Sequence, residues 1–513
     1  MREDWIECTL GELITITSGN AFKKSEYSNK GVRLFQIANV SFNETSWDKI
    51  AFLPDSYLQD EKYQHLVLKK GDIVMALNRP MLNRKLKISQ LSVIDVPAIL
   101  YQRVGKFNMI DELQPKYLLY YLQSPIFIKW LSEKLQGVNI PFINQSKLLS
   151  YNQFPFAVIP IQKAIVKKIE ELFSSLDSGI ADLKKAQGQL VIYRQAVLKK
   201  AFEGDLTKEW REKQTNLPSA FELLELIKEE RQNYYDHQIT NWKEEIKLWE
   251  NKGKEEKKPL KPKKLIEISN LAEEELGKLE SLPNQWVYSY LTYAGELARG
   301  KSKHRPRNDT KLFENGKYPF IQTGDVKAQK IIKEFHKKYS DFGLLQSKLW
   351  KKGTLCITIA ANIAETGFLG IDACFPDSIV GFTPFKIIIK DQYIEYFFQL
   401  AKNRISAYAP ATAQKNINLT ILENLVVPFC SKQEQHQIIL EIESRLSVCD
   451  KVEESIKESL LKAQALRQSI LKKAFDGKLL SVEEIKKCKQ HKEYEPASVL
   501  LEKIKKEKLR KKK

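Results

Sequence analysis

The chain has 513 residues, 43% of them hydrophobic and 10% aromatic, which suits a folded protein of two to four domains and excludes a disordered chain. Lysine and arginine outnumber the acidic residues 83 to 64, a formal net charge of +19, so the favoured partner is a polyanion, most often nucleic acid. Six scattered cysteines (Cys8, Cys356, Cys374, Cys430, Cys449, Cys488) make no CxxC pair, and no apolar run approaches the ~18 residues that cross a bilayer, which sets aside structural zinc and a membrane span. The opening MREDWIEC has no signal-peptide pattern, so a cytoplasmic chain with reduced thiols is expected.

Residues 5–40 alternate short β-type runs with Gly, Asn and Ser, which predicts strands and loops. LKKGDIVMALN (68–78) reads as a turn at Gly71 followed by a strand. AILYQRV (98–104) reads as one further strand, and KYLLYYLQSPIFIKWLSEKL (116–135) as a helix. FPFAVIP (154–160) closes the block as another strand. From Ile161 the period changes. Ile165, Ile169, Leu172, Leu176, Gly179, Leu183, Ala186, Leu190, Tyr193 and Val197 follow the 4-3 spacing of a coiled-coil seam. A helix from 161 to 203 would be roughly 64 Å long at ~1.5 Å per residue, with Gly204 as its stop.

Residues 207–283 then read as a charged, helical and partly flexible linker with little core of its own, with a helix over FELLELIKEERQ (221–232). Much of the positive charge lies in its 252–264 segment and in the tail 503–513. At Trp286 the first block begins again. Trp5, Leu10 and Gly19 correspond to Trp286, Leu291 and Gly300; LKKGDIVMA (68–76) corresponds to WKKGTLCIT (350–358), and Tyr117 to Tyr393. A second seam runs through Ile438, Ile442, Arg445, Cys449, Val452, Ile456, Ser459, Ala463, Leu466 and Ile470. It ends in RQSILKKAFDGKL (467–479), a near copy of RQAVLKKAFEGDL (194–206). Even LLELIK (223–228) has an echo in LLEKIK (500–505).

The divisions are a first strand-rich domain over 1–158, a long helix over 159–206, the linker over 207–283, a second domain over 284–430, a second helix over 431–480 and a basic helical tail over 481–513. The expected fold is α+β: two strand-rich domains alternating with two long helices that pair as an antiparallel coiled coil, a pseudo-two-fold internal repeat. Pairing is the simplest way to bury two interrupted seams. Two modules at a fixed separation suit a polymer with two recognition elements. DNA repeats every ~34–36 Å, so a rod of this length reaches one to two turns.

Three stretches have the chemistry of phosphate or base-edge contacts. They are GNAFKK with Lys23 and Lys24, NRPMLNRK with Asn78, Arg79, Asn83, Arg84 and Lys85, and KSKHRPR (301–307) with Lys301, Lys303, Arg305 and Arg307, together with Arg299 just before it. GELARGKS (295–302) also satisfies the P-loop expression, which predicts a nucleotide site lost on Lys301→Ala. The residues after it, Lys303 to Arg307, lack the helical period a P-loop needs, and Pro306 interrupts them. The six histidines lie far apart, and no catalytic or metal-ligating constellation emerges.

The twin RQ-x-h-LKKAF-[ED]-G-x-L segments, each after a heptad helix and each preceded by a domain opening with Trp-x4-Leu, resemble the specificity subunit of type I restriction-modification enzymes. That resemblance implies two target recognition domains, each reading half of a bipartite double-stranded DNA sequence. It implies paired helices that set the spacer and dock two modification subunits, which bind S-adenosylmethionine and methylate adenine. Two restriction subunits using ATP and Mg²⁺ complete such an enzyme, and the specificity subunit itself carries no cofactor, metal or catalytic residue. Arg194, Leu198, Lys199 and Phe202, with Arg467, Leu471, Lys472 and Phe475, then belong to the scaffold and partner surface. A modification-only or phage-exclusion relative would share this architecture.

Overall fold

The computed structural model describes residues 5–254, 258–262, 271–328, 330–386, 388–407 and 417–512. In chain order the elements that matter are β1 (Ile6–Cys8), β2 (Ile14–Ser18), β3 (Ile73–Ala76), β4 (Ile88–Gln90), β5 (Val104–Met109), α1 (Pro115–Leu122), β6 (Phe154–Phe156), α2 (Ile159–Phe202) and α3 (Ala220–Asn251). There follow β7 (Val287–Tyr290), β8 (Gly295–Arg299), β9 (Leu355–Thr358), β10 (Thr366–Leu369), β11 (Ile379–Pro384), α4 (Asp391–Ala407), β12 (Val426–Phe429), α5 (Lys432–Phe475) and α6 (Ala497–Lys512). The chain forms two units, one of residues 1–185 with 456–513, the other of residues 186–455.

The main sheets of the two domains repeat strand for strand. The first holds an antiparallel sheet in the order β2-β5-β3-β4. The second holds β8-β11-β9-β10 in the same order, extended by a short parallel strand at Ile331–Ile332. In each, the opening strand pairs antiparallel with the last, β1 with β6 and β7 with β12. Among the described residues, a second four-stranded sheet, with Val32–Phe35 and Ala98–Leu100 at its centre, is found in the first domain alone. The long helices are equally matched, 44 residues each, and both stop at a glycine of positive φ, Gly204 and Gly477.

In the first unit the start of α2 and the end of α5 share one core with the domain. Ile161, Ile165 and Ile169 are buried there together with Leu471, Ala474 and Phe475. The Phe475 ring lies 5.3 Å from Tyr117 and 4.9 Å from Tyr121. Fully buried Gln162 accepts from the Gln114 amide (2.8 Å) and donates to the Glu112 and Ala157 carbonyls (2.9 and 2.6 Å), so its amide leaves no buried polar atom unpaired. The Tyr117 hydroxyl donates to Pro155 O at 2.7 Å.

The second unit builds the same joint from the end of α2 and the start of α5. Phe202 lies 4.9 Å from Tyr393 and 5.5 Å from Phe397. Gln435 accepts from the Lys390 amide (2.9 Å) and donates to Ile388 O and Cys430 O (2.9 and 3.0 Å). Tyr393 donates to Pro428 O at 2.7 Å. The repeated LKKAF is thus the closing segment of a domain core, and it closes the domain of the other repeat.

Four expectations need correction. AILYQRV is two strands, because the chain turns at Tyr101–Arg103 before β5. The helix read over 116–135 is two helices, restarted at Ser124, whose hydroxyl accepts from the Phe127 amide ahead of Pro125. The seams also drift, as a straight helix does against a strict heptad. Gly179 is exposed and Ile180 half-buried, and Tyr193, Val452 and Leu466 are 48%, 41% and 51% exposed. Arg194 and Arg467, one residue on from Tyr193 and Leu466, turn inward instead. Arg194 donates to Asp450 (2.7 Å) and Glu453 (2.9 Å); Arg467 pairs with Asp177 and lies 4.4 Å over the Phe173 ring. The hydrogen bond to the Asp450 carboxylate raises the Arg194 pKa further.

The fourth correction concerns the linker. Its helix α3 is longer than read, and Leu223 and Ile227 are buried, Ile227 within the core of the second unit. Arg231 is 6% exposed, its guanidinium 4.7 Å over Tyr293. The LLEKIK echo does the matching job in the first unit, where Leu501 and Ile504 of α6 are buried and Lys505 pairs with Glu12 at 3.1 Å. Parts of the linker, 255–257 and 263–270, lie outside the described residues.

Candidate nucleic-acid interface

Each main sheet presents a cluster of loops at the end where β2 or β8 leaves it. Gly19 and Gly300 mark the spot, because the backbone there passes too close to another segment for a side chain. A Cβ on Gly19 would sit 2.2 Å from Tyr101 O, and one on Gly300 2.3 Å from Pro376 O. Their amides donate to matching residues, Val104 O at 3.3 Å and Ile379 O at 2.8 Å. Beside them the chain leaves β3 and β9 identically. Leu77 N donates to Arg103 O and Ile359 N to Ser378 O; Ile143 N donates to Leu77 O and Ile417 N to Ile359 O. Arg79 (φ 46°) and Ala361 (φ 64°) then take the same left-handed turn two residues later. The backbone frame is common while the side chains it carries differ.

In the first domain this frame carries several of the expected residues. Arg79 is exposed and its amide donates to Pro141 O at 2.6 Å. Asn78 bridges to Phe142. Asn83 and Arg84, both with positive φ, form the tip of a small hairpin between Met81–Leu82 and Lys85–Leu86, which leaves Arg84 and Lys85 exposed. Lys23 and Lys24 are exposed at a turn pinned by the Lys23 amide donating to Glu26 Oε2 at 2.6 Å. Sequence reasoning missed Arg103, which is exposed with φ 68° on the turn bonded to Leu77. Its signal was the polar Gln102-Arg103 pair interrupting two apolar runs.

In the second domain the basic loop divides in two. Arg299 donates to Asp377 O, Arg305 to the carbonyls of Ser302 (2.7 Å) and His304 (2.8 Å), and Arg307 binds both Asp377 carboxylate oxygens at 2.9 and 3.0 Å. These three arginines hold the loop's own shape. Lys301 and Lys303 stay exposed, with no side-chain partner among the described residues. The P-loop expression fails physically here. Gly295–Arg299 is strand β8, and no helix starts at Lys301-Ser302 to aim amides at a phosphate.

The remaining chemistry is quiet. Burial pushes the Cys8 thiol up to about 12 and holds Cys356 and Cys430 higher, away from nucleophilic thiolate. Among the described residues no helix is long and apolar enough to cross a membrane, and no three acidic, His or Cys side chains are grouped to hold a metal.

The family described as "Type I restriction modification DNA specificity domain" matches residues 2–185 and 285–462, once on each repeat. The chain belongs to this family. The MjaVIII specificity subunit of Methanocaldococcus jannaschii is 42% identical over 189 residues, a match spanning 37% of this chain and 43% of that subunit. The EcoBI specificity subunit of Escherichia coli is 24% identical over 516 residues, 99% of this chain and 93% of its own. A chain solved in work on assembly and conformational transition of the type I R-M system superposes with a TM-score of 0.62 at 16% identity, over 93% of this chain and 99% of that one; this likeness concerns the fold. The loop clusters just described therefore belong to two specificity domains.

Proposed function

We propose that this specificity chain reads double-stranded DNA as two half-sites, one per domain, and has no catalytic step of its own. The observation that carries the reading is the repeated loop frame, with Arg79 and Arg103 in one copy and Ala361 and Ser378 in the other. A fixed frame with changed side chains is what two readers of different sequences require. The long helices, joined by Arg194 to Asp450 and Glu453 and by Arg467 to Asp177, pair antiparallel as a coiled coil that sets the spacer. Two modification subunits dock on this scaffold, carrying S-adenosylmethionine, and two restriction subunits supply ATP- and Mg²⁺-dependent cleavage in the cytoplasm. Lys199 and Lys472 are exposed beside the buried LKKAF side chains and offer contacts to such partners.

The test is methylome sequencing of cells expressing the chain with its modification subunit. The expected result is N6-methyladenine in a two-part motif of fixed gap, lost without this chain. Deleting matched heptads from α2 and α5 is expected to shorten the gap and keep both half-sites. A continuous motif, or a gap unchanged by matched deletions, would refute the reading.

A further inference from the structure

Left-handed backbone disfavours any residue with a Cβ, and glycine or asparagine ordinarily occupies it. Arg79 at φ 46° and Arg103 at φ 68° are therefore costly places for arginine. Their backbone duties make no use of the side chain: the Arg79 amide donates to Pro141 O, and Arg103 O accepts from Leu77 N. Both guanidinium groups are exposed and meet no acceptor among the described residues. The contrast with the second domain is direct, since Arg299, Arg305 and Arg307 are all bound to the chain itself. Ala361 takes the same left-handed turn in the second domain, so the frame itself does not call for arginine; what Arg79 adds there is a guanidinium free to meet a partner outside the chain.

We infer that Arg79 and Arg103 form a guanine-reading pair in the first specificity domain, each presenting a guanidinium fork to O6 and N7 of a guanine in the major groove. The two residues lie on adjacent segments, the Arg103 turn being hydrogen-bonded to Leu77, two residues before Arg79. At the same places the second domain has Ala361 and Ser378, so this dependence on guanine belongs to one half-site only. The inference rests on the two-half-site reading above and names which residues distinguish the halves.

The experiment compares methylomes of the complete modification complex carrying the wild-type chain, Arg79→Gly, Arg103→Gly, Arg79→Lys or Arg103→Lys. A wild-type chain that yields no bipartite motif removes the two-half-site reading itself. Given that motif, the glycine variants are expected to make one guanine position in one half-site degenerate, with about 10- to 100-fold weaker preference for guanine, and to leave the other half-site intact. Their melting temperature is expected to hold or rise, because glycine relieves the strained backbone. The lysine variants keep the charge and lose the fork, so they are expected to behave like the glycine variants. Rescue by lysine, with the glycine variants weakened uniformly over all sequences and showing a shallower salt dependence of DNA binding, would mean phosphate contacts and overturn the inference. Half-sites without guanine in the wild-type motif would overturn it too.

Discussion

The joints where helix meets domain are the same in outline in both units and opposite in chemistry at one contact, made by two residue positions. In the first unit Ile161 and Leu480 are buried in an apolar core. In the second the matching residues are Glu434 and Thr207, both fully buried, and Arg211 joins them. Glu434 accepts from Thr207 (2.7 Å) and Arg211 (2.6 Å) on one oxygen and from the Trp286 indole (2.9 Å) on the other. Burying a carboxylate is tolerable only with partners for its charge, and here both oxygens accept hydrogen bonds, one of them from a guanidinium. The lesson is that one scaffold contact accepts either solution provided each is complete. Such a network is directional in a way that an apolar contact is not.

The largest effects are expected where the joints are alike. Phe202→Ala and Phe475→Ala should each cost about 3–5 kcal/mol, by cavity formation in a fully packed site. Hydrogen exchange should localise the loosening to the second unit for Phe202 and to the first for Phe475; the reverse pattern would break the assignment of each closing segment. Glu434→Ala should cost about 3–5 kcal/mol by stranding Arg211, against about 0.5–1.5 kcal/mol for Ile161→Val, read as shifts in urea midpoint. Equal costs would mean that Glu434 acts by packing alone. The combined change Glu434→Ile, Thr207→Leu, Arg211→Met, Trp286→Phe imports the apolar solution without stranding the indole donor, and the expected outcome is a melting temperature unchanged or raised, equivalent to about 0–4 kcal/mol. The smallest effect belongs to the partly exposed helix pairs. A double-mutant cycle on Arg194 and Asp450 should return about 0.2–1 kcal/mol, falling with salt.

Much of this organisation was legible in the sequence because repetition reports correspondence without any knowledge of contacts. Tyr117 with Tyr393, Gly19 with Gly300, and the LLELIK echo all point to real structural equivalents. What repetition does not report is which side of a packed joint a segment serves. Nothing in LKKAF says that Phe202 closes the core built around Tyr393, since that pairing is long-range. The seam positions slipped because Tyr193 and Leu466 look better buried than Arg194 and Arg467, whereas the acids facing them favour arginine. At the loop clusters residue type was informative and engagement was not. Arg307 and Arg79 read alike in sequence, yet one is tied to Asp377 and the other meets no side-chain partner among the described residues.

The exchange of closing segments has a consequence for birth on the ribosome. The second unit, residues 186–455, is continuous, so its core can shut soon after synthesis. The first unit waits for residues 456–513, and its pocket around Tyr117 and Tyr121 stays unfilled until Phe475 arrives. At ~5–20 residues per second the interval from Phe173 to Phe475 lasts roughly 15–60 s. For that time the nascent chain carries an open apolar surface, the moment at which a chaperone has the most to protect.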